Sequence, residues 1–418
     1  MKAYPMRPRT RLLVGVAVCL LMGACGSPAT PSLTNMTPKP AASTTGPPSA
    51  SSDLTAVTPP YRVATIPASA IHRILLPPDR PQIHRLSGDG SQVVFDELGF
   101  GGDAGQGRTI WLADLASGSL TALATSENAD AAWTPIISGG RVAWVEWHYA
   151  DGPNLRGDLT WRVELIDLET RTVREVQSGV SPAGVGGAGG IPLIALTPDR
   201  IAVAAPQPTG SNPGAWQTVV RGLPTLGVAW TVTSAEWMYS LALGSDALAF
   251  SEGKNDAVAD FVYDTRLMVA RSSGAPVEIA RDAFEVVANG NLMAWVSDPG
   301  SSQGHSGQAV APRIFETSLD QVAPWSLSEE PNGDPVTGSS WPATGDGIVT
   351  WADNQDSSLH PDPGGDHLVA WSAGGGVVQL EPTSGMLLST VGGGWVTWYD
   401  AWNSPPQLYG VRLEDLPG

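Results

Sequence analysis

A pattern that recurs seven times within residues 61–418 restricts the fold more than any other feature of this 418-residue sequence. In each copy a turn with Gly, Asp or Asn precedes an apolar segment, and a polar segment and further apolar stretches follow. The first apolar segments end near seven anchor residues at roughly regular spacing: Phe95, Trp144, Val203, Phe250, Trp295, Trp351 and Trp398. A period of about 40 to 50 residues with several short strands is typical of β-propeller blades, which bury their faces against one another.

The pattern predicts four strands per copy, named a to d, with tight a–b hairpins at pairs such as Gly139-Gly140 and Asn289-Gly290. The strands predicted for the second copy are Pro135–Ser138, Arg141–Glu146, Trp161–Asp167 and Val173–Val176. We therefore predict an all-β fold, a seven-bladed β-propeller over residues 61–418. A six-bladed ring with one degenerate copy is the alternative.

The seventh copy lacks a predicted strand d. Its three predicted strands lie near Met386–Thr390, Trp395–Tyr399 and Leu408–Leu413. The segment Tyr61–Leu76 precedes the first copy and contains strand-like residues at Arg62–Ile66 and Ile71–Leu75. We expect this segment to supply the missing outer strand and close the ring.

Residues 1–24 have the composition of an export signal. Four basic residues precede an apolar stretch of 11 residues, Leu12–Met22, which is too short for a spanning helix of about 20 residues. Gly23-Ala24-Cys25 resembles the lipobox of bacterial lipoproteins, with Met22 in the position usually held by leucine. The resemblance implies that Cys25 becomes the lipidated, palmitate-bearing first residue of a protein on the outer side of a bacterial membrane. An ordinary secretory signal is the alternative.

Residues 25–60 are predicted to be a disordered linker behind the lipidated cysteine. Pro, Ser, Thr and Ala fill 26 of the 35 positions in 26–60, so the segment has almost nothing to bury. Loss of residues 1–24 removes four positive charges and no negative one, which takes the net charge from −18 to −22. We do not expect nucleic-acid binding, because a phosphate backbone is bound by Lys and Arg.

Two segments have a related third-strand sequence, W-L-A-D-L-A-S-G at Trp111–Gly118 and E-L-I-D-L-E-T at Glu164–Thr170. With the preceding turn and V-x-W segments, they resemble the TolB-like (WD40-like) family of bacterial β-propellers, whose blades carry the pattern I-Y-x-x-D-L-x-T-G. The resemblance covers most of residues 85–418 and implies a propeller that recognises proteins. It does not imply a particular catalytic activity.

Acidic residues occupy equivalent positions in most copies. Two residues beyond the anchors lie Glu97, Glu146, Glu252, Asp353 and Asp400, and in the fifth copy Asp298 follows a serine at that position. If the copies superpose, these carboxylates ring one mouth of the channel, where like charges would favour a cation. This predicts a site for a divalent metal ion, an amine or a basic peptide. Alternatively, each side chain is a solvated or locally paired strand-end residue.

Tryptophans are frequent near the same predicted mouth. Trp133, Trp237 and Trp341 begin strand a in three copies, and Trp147 and Trp402 lie in long b–c segments. Exposed tryptophan beside carboxylates would suit stacking on a sugar ring or a cation. Packing between blades is the alternative for the three strand-a residues.

One b–c segment combines His360, Asp362, Asp366 and His367. Imidazole and carboxylate ligands would suit zinc or calcium, although a solvated Pro/Gly/Asp-rich turn has the same composition. No catalytic residue is predicted, and the only cysteines in the sequence are Cys19 and Cys25.

The sequence thus predicts an exported, lipid-anchored propeller that binds a protein or an envelope glycan through its long b–c loops, which a rigid scaffold presents together. The alternative function is a carbohydrate-active lyase or hydrolase, because two carboxylates suffice for glycoside cleavage. No cofactor is predicted beyond a divalent cation in the carboxylate ring.

Overall fold

The computed structural model describes most of the chain beyond residue 61 and no residue before it. The described ranges are 62–76, 83–97, 109–125, 131–149, 158–181, 190–207, 215–256, 261–272, 274–297, 313–318, 325–326, 338–354, 366–372, 375–382, 386–400 and 406–416. All of them belong to one compact unit, residues 47–418. The export signal, Cys25 and the linker at 25–60 lie outside the described residues and stay predictions. Neither of the two three-residue helices in the described ranges is long enough to span a membrane.

Burial explains why these segments form strands in stacked sheets. The second strand of a blade is buried on both faces, as in β28 (Trp395–Asp400), in which all six residues are buried. Outer strands are mostly exposed or half-buried, as in β10 (Thr172–Ser181), in which only Val176 and Ser181 are buried. Apolar runs thus specify inner strands, and more polar sequences specify edge strands.

The strands form seven sheets, as the predicted seven-bladed propeller requires. Blades 1 to 3 contain β3 (Ile83–Asp89), β4 (Gln92–Glu97), β5 (Thr109–Asp114) and β6 (Ser119–Thr125); β7 (Ala131–Ser138), β8 (Arg141–Tyr149), β9 (Leu159–Asp167) and β10; and β11 (Leu193–Leu196), β12 (Arg200–Pro206), β13 (Trp216–Gly222) and β14 (Gly227–Ser234).

Blades 4 to 7 complete the ring. They contain β15 (Trp237–Leu243), β16 (Ala247–Asp256), β17 (Phe261–Arg271) and β18 (Val277–Arg281); β19 (Ala283–Asn289), β20 (Leu292–Ser297), β21 (Arg313–Ser318) and β22 (Trp325–Ser326); β23 (Gly338–Gly345), β24 (Ile348–Asn354), β25 (Asp366–Ser372) and β26 (Gly376–Glu381); and β27 (Met386–Gly392), β28 and β29 (Gln407–Arg412).

Each blade is an antiparallel meander, and the first strands of neighbouring blades contact one another around the whole ring. The ring closes where β27 of blade 7 contacts β3 of blade 1.

The N-terminal segment closes the ring in two places. β2 (His72–Leu75) pairs antiparallel with β29 and is the outer strand of blade 7, which confirms that the segment before the first copy supplies the missing strand. β1 (Arg62–Thr65) was expected to contribute to the same blade. It instead adds a fifth strand to blade 6, parallel to β26. Ala64 and Ile66 pack into a core cluster shared by blades 6 and 7, so this latch, residues 62–76, joins both blades.

The two faces of the ring differ in their connections. The a–b connections are two or three residues long, and together with the c–d turns they form what we call the short-turn face. The b–c connections are longer in every blade, the longest being the one from Ser297 to Arg313 in blade 5, and with the connections between blades they form the long-loop face. Most of the b–c residues lie outside the described ranges, so the rim of strand ends beneath them is the described part of this face.

Hydrogen bonds between neighbouring a–b turns tie the short-turn face together. The Gly139 N–H donates to Asp89 Oδ2 at 2.7 Å, and the Gly394 N–H donates to Asp346 Oδ2 at 2.7 Å. At the closing seam the Gly90 N–H donates to the Gly392 carbonyl at 3.1 Å.

The aspartates of the two related third-strand sequences have a structural role on the same face. Asp114 accepts hydrogen bonds from the Ser91 hydroxyl and the Ala116 N–H, and Asp167 accepts from the N–H and hydroxyl of Thr170. These bonds lower the pKa of Asp167, with the backbone N–H contributing most. The motif therefore fixes the c–d turns by side-chain capping.

Candidate functional site

The strand register places the predicted acidic positions at equivalent points on the rim of the long-loop face. In blades 2, 4, 6 and 7 the residue two beyond the anchor lies in the second half of strand b, toward the long-loop face, and a defined strand-c residue lies opposite. These Cα pairs are Glu146–Arg162, Glu252–Arg266, Asp353–His367 and Asp400–Gln407. Basic or amide-bearing residues therefore face the carboxylates across the blade.

In blade 2 the carboxylate is held by its cross-strand arginine. Arg162 donates from Nε to Glu146 Oε2 at 2.8 Å, and Trp144 donates from Nε1 to Glu146 Oε1 at 3.1 Å. Arg162 also lies 3.2 Å from Glu164 Oε1, and its own side chain is 54% exposed. The hydrogen bond to Glu146 raises the pKa of Arg162. The guanidinium of Arg162 is therefore the more solvent-exposed member of this pair.

Glu164 lies beside this pair, and its surroundings shift its pKa upward. Burial raises its pKa, Arg162 opposes the rise, and Glu146 and Glu175 add to it. Burial and two neighbouring carboxylates outweigh the single arginine, so this side chain takes up a proton more readily than an exposed glutamate.

In blade 4 the equivalent carboxylate joins two blades. Glu252 is only 5% exposed, accepts from Arg266 Nη2 at 2.9 Å, and accepts a short hydrogen bond from the hydroxyl of Ser234 in blade 3. The Glu236 N–H donates to the same hydroxyl oxygen at 3.0 Å. A buried carboxylate needs such partners because its desolvation is costly.

Asp400 occupies this position in blade 7 and is buried. Tyr409, stacked on Trp398 with ring centroids 5.5 Å apart, has a raised pKa because it is buried and, second, because Asp400 is close. The side chains of Glu97 and Asp353 lie outside the described part of the structure, and Asp298 lies outside the described residues altogether.

A carboxylate that the sequence pattern did not single out is Asp96, one residue before the predicted position in blade 1. It is fully buried, and its Oδ1 accepts from the Arg85 N–H at 2.8 Å while Oδ2 faces the Thr134 N–H of blade 2 at 3.4 Å. Both N–H groups lie at register shifts near the start of strand a, where the ladder is interrupted. Bulges redirect the chain at sheet rims, and Asp96 fixes two of them.

Of the five tryptophans predicted near the mouth, two have described side chains, and both of these pack against core residues. Trp237 is 7% exposed and meets Trp216 edge-on at 5.4 Å, so its ring belongs to the core between blades 3 and 4. The prediction that Trp147 lies in a b–c segment is wrong, because β8 extends past it and pairs it with Trp161, and its side chain is half-buried against the blade 2–3 core cluster. The side chains of Trp133 and Trp341, and the whole of Trp402, lie outside the described part of the structure.

The His/Asp-rich segment contributes one described side chain. His367 Nδ1 lies 3.2 Å from Glu381 Oε1, which also accepts from Gln379 Nε2 at 2.8 Å. His360 and Asp362 lie outside the described residues, as does the side chain of Asp366. Within the described ranges, no group of three or more His, Cys, Asp or Glu side chains is placed to hold a metal ion.

The rim can therefore offer both signs of charge to a ligand. In blades 2 and 4, arginine already neutralises the described carboxylate, so a bound cation would have to displace a guanidinium. A partner with its own carboxylates or hydroxyl groups could instead accept from the outward N–H groups of Arg162, since guanidinium presents five donors.

Comparisons with known proteins establish the fold. No protein-family model and no curated protein matches the sequence. The β-propeller domain of the Trilobed protease from Pyrococcus furiosus is 10% identical, with a TM-score of 0.54 over 80% of this chain and 93% of that chain. Uncomplexed acylaminoacyl peptidase of Pyrococcus horikoshii is 11% identical, with a TM-score of 0.52 over 80% of this chain and 52% of that chain. This chain thus spans about half of that peptidase, and the likeness shows a β-propeller fold.

Proposed function

We propose that this protein is an exported lipoprotein, anchored through Cys25 on the outer side of a bacterial membrane, whose propeller binds a protein or an envelope glycan through the long-loop face. The proposal makes the propeller a binding module that the linker at 25–60 holds clear of the membrane.

The chemistry of the long-loop rim is the observation that carries the binding role. Glu146–Arg162 and Glu252–Arg266 are hydrogen-bonded ion pairs at equivalent points of two blades, beneath the b–c connections. The opposite face consists of short turns that hydrogen-bond to one another. Variable segments above a rigid, charged rim suit recognition, and the exposed guanidinium of Arg162 suits a polar or anionic group.

The anchor is supported by sequence. The Gly23-Ala24-Cys25 segment resembles a lipobox, and the third-strand motifs resemble those of TolB-like propellers. The fold comparisons agree with the propeller part of that resemblance and leave the family open.

The anchor is tested by growing cells that express the full chain with labelled palmitate. Wild type should incorporate label, and Cys25→Ser should not. Cys19→Ser is the matched control, because Cys19 lies in the apolar stretch that is removed with the signal. Equal label in wild type and Cys25→Ser, or none in wild type, would overturn the anchor.

The binding face is tested with two arginines of blade 2. Arg162 lies on the long-loop rim, and Arg171 lies in the c–d turn of the short-turn face. Arg162→Gln should weaken binding to purified envelope polysaccharide, or to a partner identified by cross-linking at His148, by at least about tenfold, since a charge-assisted hydrogen bond contributes about 1.5–3 kcal/mol. Arg171→Gln should bind like wild type. Equal effects of the two variants would exclude the long-loop face as the binding surface.

The carbohydrate-active alternative gains no support from the described rim. Glycoside cleavage needs two carboxylates on either side of one bond, whereas Glu146 and Glu252 belong to blades 2 and 4 and each is bound by an arginine of its own blade.

A further inference from the structure

The direction in which the chain enters the ring determines which face lies nearer to the N-terminal tether. Arg62 pairs with Val378 and Thr65 with Glu381, so β1 runs parallel to β26. β26 begins just after the c–d turn of blade 6, on the short-turn face, and ends on the long-loop face. The polypeptide therefore enters β1 from the short-turn side.

We propose that the short-turn face is the membrane-facing surface of the anchored protein and that the long-loop face points into the aqueous space. The ligand of the long-loop face is then a water-exposed protein or glycan that approaches from outside, and not a lipid of the anchoring membrane. This inference rests on the proposed function, because it takes the membrane anchor at Cys25 as its starting point.

The entry point is held firmly to the ring. The Ile66 N–H donates to the Glu381 carbonyl at 2.7 Å at the end of β1, and the Leu76 N–H donates to the Pro406 carbonyl at 3.0 Å after β2. Ile66 is 2% exposed within the cluster that blades 6 and 7 share. Because both strands of the latch are fastened, the side from which the chain enters β1 at Arg62 is a property of the folded ring.

Distances favour one orientation over the other. Strands of six or seven residues separate the two faces by about 20 Å. The linker composition predicts a mean span of about 30 Å for a flexible chain of this length. With the short-turn face down, the linker reaches the membrane directly. An inverted ring would require the linker to use about 20 Å of that span to pass along the blade edge, which costs chain entropy.

The sequence permits a clean measurement, because residues 26–418 contain no cysteine. Thr160 and Glu169 are both exposed and lie toward opposite faces of the ring. Thr160 is the second residue of β9, at its long-loop end, and Glu169 lies in the c–d turn that follows β9. Single-cysteine variants Thr160→Cys and Glu169→Cys would each carry a donor fluorophore. The probe chain is residues 26–418, which include every described strand, with an N-terminal polyhistidine tag bound to nickel-chelating vesicles that contain an acceptor-labelled lipid.

The expected result is more efficient energy transfer from position 169 than from position 160, since the label at 169 lies about 20–30 Å nearer to the bilayer. A matched control moves the tag into the b–c connection between β24 and β25 and should reverse the order. Equal transfer from the two positions with the N-terminal tag, or the reversed order, would overturn the orientation. Because the tag replaces Cys25, this outcome is separate from the palmitate experiment, in which failure would remove the natural anchor instead.

Discussion

Replacing Gly345 with alanine should test how tightly the last two blades approach each other. Gly345 ends the inner strand of blade 6, and a Cβ at this position would lie 2.4 Å from the carbonyl oxygen of Val391 and 2.8 Å from its carbonyl carbon, in the inner strand of blade 7. Both are backbone atoms, so no flexible side chain can move aside. The backbone of Gly345 is not left-handed, and alanine therefore adds a steric conflict without adding φ strain.

The magnitude follows from two opposing terms. Gly→Ala at a compatible backbone position stabilises by about 0.4–1 kcal/mol, because it reduces the entropy of the unfolded chain. Overpacking a close contact typically costs about 1–3 kcal/mol. The net expectation is that Gly345→Ala is about 1–2 kcal/mol less stable than wild type. Gly222 is the matched control, since a Cβ there meets nothing within 4 Å and its backbone is not left-handed either.

The two variants should therefore differ by about 1.4–3 kcal/mol. For a folded unit of about 350 residues, an unfolding entropy of about 2.1 cal/mol/K per residue converts this difference to about 2–4 °C in Tm. Thermal unfolding followed by tryptophan fluorescence would measure it on residues 26–418. If Gly345→Ala unfolds at the same temperature as Gly222→Ala, the close backbone contact between blades 6 and 7 is wrong.

Four further predictions concern buried or capping side chains. Burial raises the pKa of Glu164 above its usual 4.5, so the wild type loses stability as the pH rises through that raised value. Glu164→Gln should therefore have a higher Tm than wild type at pH 7 and the same Tm well below pH 4.5. A Tm difference that stays constant across pH would contradict the raised pKa. The pKa of Asp167 is lowered, so Asp167→Ala should have the opposite dependence, with a loss at pH 7 that disappears in acid below the folded pKa. Asp96→Leu should cost about 1–3 kcal/mol in urea unfolding, because it leaves the N–H of Arg85 without its acceptor, whereas Asp96→Asn should recover much of the loss. In the latch, Ile66→Ala should lower the free energy of unfolding by about 2–4 kcal/mol, because Ile66 is buried. Val63 is 56% exposed, so Val63→Ala should stay within about 0.5 kcal/mol of wild type in the same urea unfolding experiment. Equal effects of the two variants would show that the latch is not packed as described.

Local sequence patterns predicted the blades well because they depend on neighbouring residues. Turn pairs such as Gly139-Gly140 were correctly placed between strands a and b, and both glycines have the positive φ that tight hairpins use. Strand ends were less well predicted. In blade 2 the predicted second strand stopped at Glu146, but pairing continues to Tyr149, opposite Leu159. A strand extends as long as a partner is opposite it, and the partner lies elsewhere in the sequence.

The candidate site shows the same division. Alignment of the copies placed Glu146 and Glu252 at equivalent positions, and the register agrees. Their arginine partners lie 16 and 14 residues further along, beyond b–c segments of different length, so spacing alone could not pair them. Asp96 had no distinguishing sequence signal, because its role depends on a bulge in its own blade and another in the next blade.

By itself the sequence determined the all-β repeat, the tight turns and the existence of a surplus N-terminal segment, because periodicity and turn residues act over a few positions. Only the tertiary structure decided where that segment goes, since Arg62, before the first blade, pairs with Val378 in the sixth. No local pattern encodes such a contact; it forms because closing the ring brings the two ends of the propeller together and buries Ile66 between the last two blades.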